Sequence, residues 1–69
     1  MNINGGKCIS EAMKLRGMRE ADVARDLGLH RQQVNRWKRH PDMRISLAMR
    51  LARYFELHLF DFLKLGEEK

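Results

Sequence analysis

Apolar residues recur along this chain at helical spacing, in short runs separated by glycine, proline and capping residues, with no low-complexity segment and no internal repeat. Cys8, Ile9, Ala12, Met13 and Leu15 form a broad stripe that Gly17 closes, which predicts a first helix. Val23, Ala24 and Leu27 predict a second helix from about Glu20 to Leu27, with Gly28 just past its end and Glu20 and Asp22 at the positive end of its dipole. A third runs from about His30 to Arg39, and Pro41 stops it because proline has no amide hydrogen to continue the ladder. The stretch "RHPDMRI" is then a loop.

Ser46 reads as the N-cap of a fourth helix, in which Leu47, Ala48, Leu51, Ala52 and Phe55 make a continuous stripe. The last piece, "HLFDFLKL", is apolar on more than one side as a helix, with His58 as its cap, but it also partly alternates in the manner of a strand. The helical element before it and the Phe62, Leu63 pair favour a helix. The opening "MNINGG" has no periodicity and reads as an arm. The expected organisation is a flexible arm over residues 1–6, one domain over 7–66 and a charged tail over 67–69.

A single domain of 69 residues has a small core, of the kind that rarely supplies more than about 3–5 kcal/mol without reinforcement. Cys8 is the only cysteine, so no disulfide can form within the chain, and a small buried apolar role suits it better than a reactive one. Nothing resembles a signal peptide, and no apolar run approaches the roughly 20 residues that span a bilayer, so a soluble, cytoplasmic protein is expected. His30, His40, His58 and Cys8 do not reproduce a zinc spacing. Asp22 and Asp26, one turn apart, fit charge balance. With no nucleophile, base and orienting acid to assemble, neither an enzyme nor a cofactor, metal or small-molecule substrate is expected.

The charge is uneven. Lys and Arg number 14 against 9 Asp and Glu, and from Arg31 to Arg53 there are seven basic residues with only Asp42 against them. On the third helix, Val34 and Trp37 share one side with His30, while Arg31, Gln32, Asn35, Arg36 and Arg39 fall within an arc on the other. Burial of the apolar side leaves the polar arc presented. Its guanidiniums and amides carry the forked donor and acceptor sets that match base edges and phosphates. Membrane-surface binding is disfavoured, since the same helices need their apolar faces for the core. Trp37 is in phase with Val34 and reads as a core anchor, not a base-stacking platform; Met13, Met18 and Met49 read as packing residues.

The second and third helices share a further geometry. Ala24 stands four residues before Gly28, Leu29 follows it, and Val34 and Trp37 lie six and nine beyond. A small residue allows a close crossing, a glycine allows a sharp turn, and the apolar residues fasten the third helix across the second. At these residues the chain resembles the helix-turn-helix family of lambda-type phage repressors and Cro proteins, also called Xre-like. The resemblance extends from Cys8 to Leu65, with "EADVARDLGLHRQQVNRWKR" similar to the two-helix motif and "ISLAMRLARYFELHLFDFLKL" to the family's fourth and fifth helices.

The resemblance implies an all-α fold, a compact five-helix lambda-repressor-like DNA-binding domain. It further implies a transcription regulator, such as a phage or prophage Cro-like repressor, that binds a near-palindromic double-stranded operator as a homodimer formed or strengthened on DNA. By matching position, Arg31, Gln32, Asn35 and Arg36 would read base edges, though at least one of the four is expected to be an ordinary solvated side chain. Lys38, Arg39, His40 and Arg44 would meet phosphates around the loop after the third helix, with Gln33 on its flank. Arg50 and Arg53 fit surface charge as well.

Two positions depart from the family. Glu20 stands where a phosphate-contacting Gln is common, so Arg19 is expected to take over that contact. His30 stands in place of a Ser or Thr cap and could itself meet a phosphate. Phe60 and Leu65 have no evident partner in so small a fold and are candidates for the dimer contact. An antitoxin of the same fold, whose chief task is masking a protein partner, and a nonspecific nucleic-acid binder are the competing readings.

Overall fold

In the computed structural model, which describes residues 2–68, seven elements follow one another: β1 (Asn2–Ile3), α1 (Gly5–Arg16), α2 (Glu20–Leu27), α3 (Arg31–Arg39), α4 (Ile45–Tyr54), α5 (Leu59–Lys64) and β2 (Glu67–Glu68). The fold is the expected all-α arrangement of five helices, closed by one antiparallel pair of two-residue strands with Asn2 opposite Glu68 and Ile3 opposite Glu67. Within residues 58–65, Leu59–Lys64 form a helix and no strand, with His58 at the cap position and the Phe62 N–H donating to the His58 carbonyl at 2.9 Å.

Asn2 and Ile3 of the expected arm therefore pair with Glu68 and Glu67 of the expected tail, whose Lys69 lies outside the described residues, and α1 begins at Gly5. Asn4 caps α1 by accepting the Lys7 N–H through Oδ1 at 3.1 Å. The first amides of the helix are taken up by the carbonyls that follow α3: Gly5 N–H donates to Pro41 O at 2.7 Å and Gly6 N–H to His40 O at 2.8 Å. A Cβ at position 6 would run into the Lys38 carbonyl. The two glycines thus allow close approach of backbones, and residues 2–6 are held in β1 and the start of α1 where a flexible arm over residues 1–6 was expected; Met1 lies outside the described residues. At the other end Asn4 N–H donates to Gly66 O at 2.8 Å, and the Lys7 ammonium to Glu67 O at 3.3 Å.

Helix α1 packs on α3 and α5, α2 on α3, and α4 on α5, around a core that includes Ile9, Val23, Val34, Leu51, Phe55 and Phe62. Phe55 and Phe62 stack with ring centroids 6.2 Å apart, joining α4 to α5. Cys8 is fully buried, as a small apolar residue. Burial and the loss of its solvation push its thiol pKa up, which suits an inert side chain.

Three packing expectations are corrected. Leu15 is 59% exposed, because the stripe of α1 ends one turn short of Gly17, and Met49 is 55% exposed on the outer side of α4 with Ile45 one turn before it. Ser46 lies inside α4: Arg44 occupies the cap position, and its carbonyl accepts the Ala48 N–H at 3.0 Å, closing the first turn one residue pair earlier. The C-terminus of α4 turns through Glu56 at φ 58°, the one left-handed non-glycine among the described residues. Arg16 holds that turn by donating from Nε to Phe55 O at 2.9 Å and from Nη2 to Glu56 O at 3.1 Å.

Candidate nucleic-acid interface

Helix α2 ends where Gly28 adopts φ 69° and ψ 35°, a left-handed turn that a residue with a Cβ enters only at a cost. The Leu29 N–H closes the turn on Ala24 O at 2.8 Å, and Leu29 tucks its side chain half out of solvent. Ala24 is buried, so α3 lies close across α2. At the start of α3 the His30 side chain makes no cap; Gln33 reaches back instead, accepting the His30 N–H through Oε1 at 3.2 Å.

Val34 is fully buried and Trp37 packs half-buried against the core. The opposite side of α3 is therefore free, and Arg31, Gln32, Asn35, Arg36 and Arg39 line one open groove of about 800 Å³ with Arg19, Glu20 and Ala21 of the α2 end. All four residues expected to read bases share this groove. Of those expected to meet phosphates, Arg19 and Arg39 line it, whereas His30, Gln33, His40 and Arg44 are exposed outside it. The backbone of the loop after α3 is pinned through the His40 and Pro41 carbonyls to α1, and the His40 and Arg44 side chains on either side of it are exposed.

Lys38 is the exception. Its ammonium lies 3.2 Å from Glu20 Oε1, with the two side chains 29% and 23% exposed, and the same oxygen accepts Asn35 Nδ2 at 3.1 Å. The Asn35 amide, and then Lys38, hold the Glu20 carboxyl below the usual carboxylate range. Glu20, which stands where the family commonly has a phosphate-contacting Gln, is in the structure the acceptor that joins the first residue of α2 to two donors three residues apart on α3. That spacing, Asn35 and Lys38 on neighbouring turns, is the signal available in the sequence. Next to it Asp22 is also held low, chiefly by the Arg19 N–H donating to its Oδ2 at 3.0 Å.

Away from the groove, Phe60 is 79% exposed on α5. Leu65 differs from expectation: it packs half-buried against the core, which gives it a partner inside the fold. Among the described residues no cluster of three or more His, Cys, Asp or Glu is placed to hold a metal ion, and no helix is long and apolar enough to cross a membrane.

Residues 8–68 match the family described as the Cro/C1-type HTH DNA-binding domain. No match was found among curated proteins or among solved structures.

Proposed function

We propose that this chain, which belongs to the Cro/C1-type helix-turn-helix DNA-binding domain family, is a sequence-specific repressor of the Cro kind, such as phages and prophages encode, acting in the cytoplasm as a homodimer on a near-palindromic operator. The observation that carries the reading is the division of α3: Val34 and Trp37 face the core, while Arg31, Gln32, Asn35 and Arg36 line one groove beside the α2 end. An arginine can donate two bonds to guanine, and a glutamine or asparagine can exchange two with adenine, each good pair discriminating by about 1–3 kcal/mol. Arg19 and Arg39 in the groove, and His40 and Arg44 exposed outside it, would hold the backbone and supply affinity without sequence choice. His30 and Gln33 would assist at the start of α3.

A dimer accounts for two further features. Phe60 is a large apolar side chain left in solvent. The body measures 32 × 22 × 22 Å, a size at which two copies side by side can set their α3 helices about 34 Å apart, one turn of duplex. Occupying promoter DNA would then repress transcription.

Selection of sites from random duplexes at stated salt tests the proposal. The expected result is an enriched two-fold symmetric sequence whose affinity falls steeply with salt as counterions are released from phosphates. A pool that stays unenriched rejects sequence-specific control. A tightly copurifying protein whose binding survives Arg31→Ala and Gln32→Ala would establish the antitoxin reading in its place.

A further inference from the structure

A carboxylate in the middle of a surface that meets DNA is unfavourable unless it does something there, and Glu20 lines the groove itself. Its Oε1 accepts from Asn35 Nδ2 at 3.1 Å and from Lys38 Nζ at 3.2 Å. A carboxylate offers no hydrogen to an amide, so only the nitrogen end of Asn35 can face it. An asparagine free in solvent presents its two ends in either order, and so accepts whichever base edge arrives. Asn35 beside Glu20 has one order, which leaves Oδ1 and its second amide hydrogen for the groove.

We propose that Glu20 is a positioning residue for sequence choice: it fixes the Asn35 amide in the orientation that pairs with adenine and withdraws Lys38 from the phosphates. The remaining acceptor and donor of Asn35 match the N6 hydrogen and N7 of adenine in the major groove. Lys38, neutralised against Glu20, no longer adds a sequence-blind contact, so the groove as a whole binds less tightly and more selectively. This rests on the reading of α3 as the base-reading helix.

Site selection and salt titration of the parent chain, Glu20→Gln and Asn35→Ala, run side by side, test it. Glutamine is close to isosteric but both donates and accepts, so it permits either order of the Asn35 amide and frees Lys38. The parent should prefer adenine about tenfold or more at one position of each half-site, within the range a bidentate amide pair supplies. Both variants should lose that preference, to about threefold or less, and keep the other positions. Glu20→Gln should also bind scrambled duplex more tightly, with a salt slope steeper by about 1, as one more phosphate is neutralised. Combining the two substitutions should flatten the site no further than either alone.

If Glu20→Gln keeps the full preference at every position, or flattens all positions alike while lowering the melting temperature, Glu20 is only a helix-end acid and the proposal is overturned. Should Asn35→Ala leave every preference intact, the proposal is overturned even if Glu20→Gln does not fold. A parent chain that enriches no site rejects the base-reading helix itself, and that result is distinct from an enriched site unmoved by Glu20→Gln.

Discussion

The Tyr54 hydroxyl donates to Asp26 Oδ2 at 2.6 Å, fastening the last residue of α4 to α2 across 28 positions of chain. Burial, and then the Asp26 hydrogen bond, push the Tyr54 pKa up to about 12 from an ordinary value of 10.0. Tyr54→Phe should destabilise the fold by about 1 kcal/mol, the net worth of one such bond, read as a lower urea midpoint with unchanged slope. Because the folded pKa lies above the unfolded one, the contribution is whole below pH 10 and is lost as pH rises toward 12. The gap between parent and variant should therefore close across that window. A gap constant with pH would show that the hydroxyl is not what stabilises.

Glu56 takes a left-handed backbone conformation where glycine is favoured. Glu56→Gly removes the Cβ strain there and should raise stability by about 0.5–1 kcal/mol, after allowing for glycine's extra freedom when unfolded. Arg16 bonds the Glu56 carbonyl, a backbone group, so that contact survives the change. Thermal melts of the two proteins decide it, and a lower melting temperature for the glycine variant would contradict the expectation.

Arg31 lines the groove and Arg44 stands exposed outside it. Arg31→Ala should cost about 1–3 kcal/mol on the selected duplex and relax one base position. Arg44→Ala should weaken every duplex alike and make the salt slope shallower by about 1. Fluorescence anisotropy on selected and scrambled duplexes across a salt series separates the two behaviours; equal losses on both duplexes for Arg31→Ala would remove it from the base-reading set.

Phe60 is exposed enough that Phe60→Glu should leave the melting temperature of the monomer nearly unchanged, a shift within about 0.5 kcal/mol. A charge in an apolar contact between copies should abolish dimers in equilibrium sedimentation and weaken cooperative binding to the two half-sites. Leu65 is unsuited to the same test, since it packs against the core and its loss would disturb the fold. Dimers that persist in Phe60→Glu, with and without duplex, would move the contact elsewhere.

What was legible in the sequence was what is local. Helix α2 runs from Glu20 to Leu27 as its apolar period and Gly28 predict, and the inward turn of Val34 and Trp37 follows from their spacing alone. Gly5 and Gly6 were opaque because glycine marks both a loose arm and a tight approach, and what approaches Gly6 is backbone more than 30 residues away. Ser46 was opaque for the reverse reason: a good cap residue was present, but the turn closed on the Arg44 carbonyl. The bonds from Glu20 to Asn35 and from Tyr54 to Asp26 depend on how helices cross, which no periodicity records.

The pairing of Asn2 with Glu68 has a consequence for connectivity. Since the described ends are neighbours, a short peptide could weld them into a ring, and a cut made in some other exposed loop would yield a permuted chain with the same packing. Which helix the ribosome makes first is then immaterial to where Arg31 and Asn35 come to rest. Their placement belongs to the shape that the helices enclose, and the thread could start elsewhere.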